Sequence, residues 1–179
     1  MLREPVDQAV SLYYYILRMR HSAEPFYEAA GAPFPGSWEQ YLAWPNHFNN
    51  QLAFLAGKLH RTAALTGDDL ARAKDRLLDL KAHVGLTERY ADSLHVFECV
   101  TGRCIPDRKV QIQNRTLNRP SLDAIPRTVI DRIREQSALD MELYEFGRAL
   151  FEEDIRRHGP APDYSFSEAG AARSGQEKL

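Results

Sequence analysis

The chain has 179 residues, 44% of them hydrophobic, and 23 Lys and Arg against 25 Asp and Glu leave a net charge of −2. That size suits one domain with a real core, and the near-neutral balance supplies no global field for nucleic acid or an anionic membrane. No apolar run is long enough to span a bilayer, and Arg3, Glu4 and Asp7 interrupt any signal-peptide pattern. Cys99 and Cys104 are too few for a disulfide scaffold. The expectation is two free thiols in a cytoplasmic protein, without the second cysteine pair or His-x-x-x-His that a zinc site would need.

Met1-Leu2 reads as the end of a buried strand, with Arg3 at its terminus and a helix from Pro5 to about Arg20. Pro5 suits the first helical position, where a missing N–H costs nothing, and Asp7 complements the helix dipole. Residues 22–36 hold three prolines and two glycines and read as a loop. Ser37 caps a short helix through Tyr41. A helix from Asn46 to Leu59 carries Phe48, Leu52, Leu55 and Leu59 as its apolar stripe. Thr66-Gly-Asp-Asp69 is a capping-box-like start, with Asp in place of Glu, for a helix marked by Leu70, Ala73, Leu77 and Leu80. Residues 82–86 read as a short strand, Thr87 as the cap of the next helix, and Gly102 as its end. Val110 and Ile112 alternate as in a strand. Helices over Pro126–Gln136 and Ala138–Arg157 close the fold. The tail, residues 158–179, is rich in Gly, Pro, Ser and Ala and is expected to be disordered. The result is a mostly α-helical chain with two or three short strands, too few for an independent sheet.

Four segments carry a resemblance. Arg3-Glu-Pro-x-x-x-x-x-Ser11-x-Tyr13 resembles the 3′-phosphate motif of sulfotransferases. Asn49-Asn-Gln51-Leu-Ala53-Phe-Leu55-Ala-Gly57 is similar to the family's Asn-x-Gln-(Thr/Val)-Arg-x-Leu-Ala-Gly segment. Residues 84–94 resemble its Val-Gly-x-Thr-Glu element, and residues 140–146 its closing helix. Together these cover residues 1–157 in order and point to the second sulfotransferase family, which contains the heparan and uronyl 2-O-sulfotransferases and their bacterial relatives. The resemblance implies an α/β fold of the phosphate-loop type, with a parallel sheet flanked by helices, of which this chain is the mostly helical C-terminal portion. It also implies 3′-phosphoadenosine 5′-phosphosulfate (PAPS) as sulfuryl donor, a carbohydrate-type hydroxyl as acceptor, and no metal.

The same resemblance implies that Arg3 and Ser11 hold the donor's 3′-phosphate. It also points to the polar segment with Asn114, Arg115, Thr116, Asn118 and Arg119 as a source of further donor contacts. From the residues alone, Arg3 could equally be a strand-end salt bridge to Glu4 or Asp7. Gln51 reads as an amide satisfied locally, or as a cleft residue. The family's phosphate loop and its catalytic His, which takes the proton from the acceptor hydroxyl, have no counterpart among these residues, and Ala53 stands where the family has Arg. His47, His60, His83 and His95 form no catalytic set by spacing, so no catalytic residue is assigned. The chain is therefore expected to be inactive alone. Leu2 and Val84 are expected on a sheet with an unprotected edge and an exposed apolar face, which invite self-association. The alternative reading is a non-catalytic helical interaction or scaffold protein derived from that fold.

Overall fold

A computed structural model describes residues 1–58, 64–79, 83–106, 109–112 and 119–168. Helix α8 (Ala138–His158) is the spine. Its buried residues Leu143, Tyr144, Gly147, Phe151 and Asp154 recur at helical spacing and form one stripe. Against it pack α4 (Asn50–Leu55), α5 (Gly67–Asp79) and α6 (Tyr90–Thr101). Leu2, Leu52, Leu70, Leu77, Val84, Leu86 and Val96 complete this first core.

A second core lies along α1 (Pro5–Arg18), whose Val6, Ala9, Val10, Tyr13 and Ile16 are buried. It is closed by α2 (Arg20–Ala29), α3 (Trp38–Ala43) and α7 (Arg127–Gln136). Tyr41 is fully buried, and its hydroxyl donates to the Ala9 carbonyl at 2.9 Å, pinning α3 to α1. His47 stacks on the Tyr41 ring with centroids 4.1 Å apart. Its Nδ1 lies 2.7 Å from the Tyr41 carbonyl, which only accepts, so Nδ1 carries the hydrogen and Nε2 accepts from Tyr27 at 2.8 Å. Burial pushes the Tyr27 phenol up to about 12. His47 is thus a satisfied core residue.

The local signals work as read at several helix ends. Pro5 opens α1, Ser37 and Gln40 form a full capping box, and Gly102 ends α6 in the left-handed conformation. Thr66 and Asp69 exchange the bonds of a capping box, with Asp replacing Glu. The segment expected as a loop from residue 22 instead continues as α2, with Pro25 inside it. Tyr27, its one buried residue, drives this turn into the aromatic core, and the interrupted bond falls on an exposed face. The helix expected over Asn46–Leu59 is a 3₁₀ turn at Pro45–His47 followed by the shorter α4. Thr87 does not cap α6: its hydroxyl donates to the Leu2 carbonyl at 3.0 Å, and a 3₁₀ turn over Thr87–Arg89 precedes the helix.

Strand content is small. Leu2 and Leu86 form a single parallel bridge. Strands β1 (Lys109–Ile112) and β2 (Ser165–Glu168) form a two-stranded parallel sheet, with Val110 opposite Phe166. Strand β2 falls in the tail expected to be disordered. Its alternation places Phe166 within 6.4 Å of Tyr164 and 6.2 Å of Tyr90, and the Tyr164 hydroxyl bonds Glu98. The apolar face expected to be open at Leu2 and Val84 is buried instead, at 6% and 5% exposure. The edges of this bridge are closed by side chains. Gln51 bonds both backbone groups of Arg3 at 2.8 Å, and the Ser93 hydroxyl bonds both backbone groups of Leu86. Among the described residues, no helix is long and apolar enough to cross a membrane. Cys99 and Cys104 are free and exposed.

Candidate functional site

The start of α1 gathers four charged side chains, Arg3, Glu4, Asp7 and Arg119. Glu4 caps the helix by accepting from the Asp7 amide at 2.6 Å. One turn along, the Asp7 carboxylate faces two guanidiniums. Its Oδ2 takes Arg3 Nε at 2.7 Å and Arg3 Nη2 at 2.5 Å. Its Oδ1 takes Arg119 Nη2 at 2.5 Å, while Arg119 Nη1 donates to the Asp7 carbonyl at 3.0 Å. Burial alone would raise the Asp7 pKa, but the hydrogen bonds and charges of Arg119 and Arg3 outweigh it, and the carboxyl is held below its usual range. Arg3 Nη1 and Arg119 Nε make no hydrogen bond among the described residues. Ser11 follows Asp7 by one helical turn and is half-buried on the same face.

Two of the residues read from the sequence, Arg3 and Arg119, therefore meet at one carboxylate, and Ser11 lies next along the helix. Asn118, Asn114, Arg115 and Thr116 fall outside the described residues. The salt bridge from Arg3 goes to Asp7, not to Glu4. Gln51 is not a free cleft amide, because both its amide atoms are used by the Arg3 backbone.

The Asn-x-Gln segment and Asp140 form one scaffold behind Arg3. Asn49, in the left-handed conformation, donates to the Gln136 carbonyl at 2.8 Å and accepts from the Asp140 amide at 2.9 Å, joining α4 to the α7–α8 corner. The buried Asp140 carboxylate accepts from the Leu52 amide at 2.8 Å and the Gln51 amide at 3.2 Å. It serves as the N-terminal cap that α4 lacks from its own residues. The chain thus runs from Asp140 through α4 to Gln51 and on to the backbone of Arg3. Ala53, where the resemblance would place Arg, is 1% exposed, so a longer side chain there would have to displace its neighbours.

Beside Arg3 opens a groove of about 610 Å³. Leu2, Phe54, Leu55, Leu77 and Val84 form its apolar wall, and Gln8, Asn50, His83 and Thr87 supply polar groups. His83 Nδ1 lies 3.0 Å from Asp154 Oδ2. Sequence spacing did not reveal this pair, because its members are separated by 71 positions. Nor did any local signal mark Arg119 as the partner of Asp7, 112 positions away. Searches among known protein families, curated proteins and solved structures find no match for this chain.

Proposed function

We propose that the chain is part of a PAPS-dependent sulfotransferase, with a carbohydrate-type hydroxyl as acceptor, and that Arg3, Arg119 and Ser11 hold the donor's 3′-phosphate. The observation that carries the reading is the convergence of Arg3 and Arg119 on Asp7, with donors left over on both guanidiniums. Such a pair suits a phosphate, which offers more acceptor oxygens than a carboxylate and takes charge-assisted bonds of the stronger kind. The ordered resemblance of the four segments supplies the class of nucleotide. Donor binding replaces part of the Asp7 pairing, so affinity for the bisphosphate is weak.

In the reaction, the acceptor oxygen bonds to sulfur while the bond from sulfur to the 5′-phosphate oxygen breaks, releasing adenosine 3′,5′-bisphosphate. Negative charge grows on the leaving phosphate and needs cations or amides aimed at it. No phosphate-loop motif occurs in residues 1–179, so this polypeptide is expected to show no measurable transfer from PAPS by itself.

Calorimetric titration tests the reading. Adenosine 3′,5′-bisphosphate should bind, and adenosine 5′-monophosphate should bind at least about tenfold more weakly, the effect of losing one charge-assisted contact. Arg119→Ala and Arg3→Ala should each abolish that preference. Equal affinity for the two nucleotides, or an unchanged preference in both variants, would remove the assignment.

A further inference from the structure

Helix α6 has two apolar sides. Ser93 and Val96 are buried, whereas Tyr90 and Phe97 are exposed on another side of the same helix, with half-buried Leu94 between them. Positions 90, 94 and 97 follow one another at helical spacing and form a continuous stripe. Three more side chains extend it. The Phe166 ring of β2 lies 6.2 Å from the Tyr90 ring, and Val100 follows Phe97 by one turn. Met1 joins at the other border: its Cγ and the Ser93 Cβ both lie 3.0 Å from the position that a Gly85 Cβ would take, and Ser93 precedes Phe97 by one turn. Met1, Tyr90, Phe97, Val100 and Phe166 are all large and exposed, Phe97 at 46% and Phe166 at 42%.

Single apolar residues are ordinary on a surface, but a contiguous group of this kind marks a contact site. Three of its members are aromatic rings, the type enriched at the centre of protein interfaces. The charges at the two ends of α6 indicate what covers it. Arg103, just past the helix, is exposed, and its side chain makes no hydrogen bond or ion pair among the described residues. Glu88, just before the helix, is also exposed; Tyr144 donates to its Oε1, and its Oε2 makes no hydrogen bond among the described residues. Other nearby charges are committed within the chain. Arg89 pairs with Asp92 and Glu152, and Glu98 holds the Ile105 amide and the Tyr164 hydroxyl. The helix thus has an open acid at one end and an open base at the other. Turned antiparallel on itself, it is self-complementary. With Leu94 of one copy opposite Phe97 of a second copy, Tyr90 falls opposite Thr101 and Glu88 opposite Arg103, and two-fold symmetry makes each contact twice.

We infer that α6 is the interface of a two-fold dimer of this chain, with the Tyr90–Phe97 stripe at its centre and a Glu88–Arg103 pair between the copies at each end. Burial of the apolar rings supplies the affinity. The charges set the antiparallel direction, because a parallel pair would place Arg103 beside Arg103 and Glu88 beside Glu88. With five large apolar side chains per copy the interface is small, so the dimer is weak and reversible. Self-association thus uses α6 and not the Leu2–Val84 edge expected from the sequence. This inference does not rest on the donor-site reading above.

The test is sedimentation equilibrium of the full 179-residue chain. Its mass should rise from 20.4 kDa toward twice that value as the concentration reaches about 100 μM. Phe97→Ser, at an exposed site, should weaken dimerisation by about tenfold or more. Arg103→Glu should weaken it about fivefold by setting two acids face to face, and Glu88→Arg in that background should restore it. Circular dichroism checks that each variant keeps the helical fold. If Glu88→Arg does not fold once the bond from Tyr144 is lost, Phe97→Ser and Arg103→Glu still decide. A chain that stays monomeric at that concentration would overturn the inference and leave the stripe to a different protein. A dimer that both Phe97→Ser and Arg103→Glu leave unchanged would overturn it equally.

Discussion

Gly147 lies at the contact between α8 and the Leu2–Leu86 bridge. A methyl group there would sit 2.3 Å from Leu2 Cδ1 and 3.2 Å from Val84 Cγ1. Ordinary carbon contacts are about 3.5–4.0 Å, so Leu2 would have to yield by more than about an ångström. Leu2 and Val84 are both buried, which leaves little free space to relax into. Overpacking of this kind costs about 1–3 kcal/mol, and the size of the overlap argues for the upper end. Replacing Gly by Ala inside a helix returns about 1 kcal/mol. The net expectation for Gly147→Ala is a loss of about 2 kcal/mol, or about 4–8 °C in Tm for a chain of this length.

Urea unfolding followed by circular dichroism reads this directly, and a double-mutant cycle isolates the cause. Leu2→Ala alone should cost about 2–5 kcal/mol. In that background the added methyl has room, so Gly147→Ala should become mildly stabilising. The coupling should be about 2–3 kcal/mol, as for residues in contact. Because Leu2 precedes Arg3, the single Gly147→Ala variant should also weaken binding of adenosine 3′,5′-bisphosphate. A Gly147→Ala protein as stable as the wild type, or strictly additive effects, would refute the close-packing argument.

Asp7→Asn should strengthen binding of the bisphosphate by up to about tenfold, because removing the carboxylate charge releases guanidinium donors to the phosphate; weaker calorimetric binding would show that Asp7 holds the arginines in place instead. The Lys58 hydrogen bond, with help from Thr66, lowers the buried Asp69 carboxyl to about 2. Its contribution to stability is therefore present above the unfolded value near 3.8 and is lost as pH falls toward 2. The difference in urea midpoint between wild type and Asp69→Asn should shrink steadily below pH 4, and a constant difference from pH 7 down to about 2 would contradict this linkage. Asp140→Ala removes the acceptor of two amides at the start of α4 and should cost about 3 kcal/mol. It should also speed hydrogen exchange at Gln51 and Leu52, and unchanged exchange there would count against the cap.

Much of the helical framework was legible locally. Pro5, Ser37, Thr66, Asp69 and Gly102 act within one turn of backbone, so their identities alone mark the helix ends at which they act. The pairing of Arg3 with Asp7 was also within reach, because only four positions separate the residue just before the helix cap from the acid in the first turn. The α2 helix was not, because Pro25 within it and the Pro- and Gly-rich residues after it argue for a loop, and only the aromatic pocket around Tyr27 overrides them. Strand β2 was hidden for a related reason: the composition of the tail is loop-like, and its order comes from pairing with β1 and contact with Tyr90. Thr87 has the residue type of a cap, yet its hydroxyl serves the carbonyl of Leu2, which bridges Leu86 from the start of the chain.

Tertiary structure alone decided which distant groups meet. Arg119 reaches Asp7 across 112 positions, Asp140 caps α4 across 88, and Asp154 meets His83 across 71. Capping and periodicity are short-range and can be read along the chain. The candidate site depends on how α8 packs against α4 and the Leu2–Leu86 bridge, and that packing is set by burial of side chains drawn from the whole sequence.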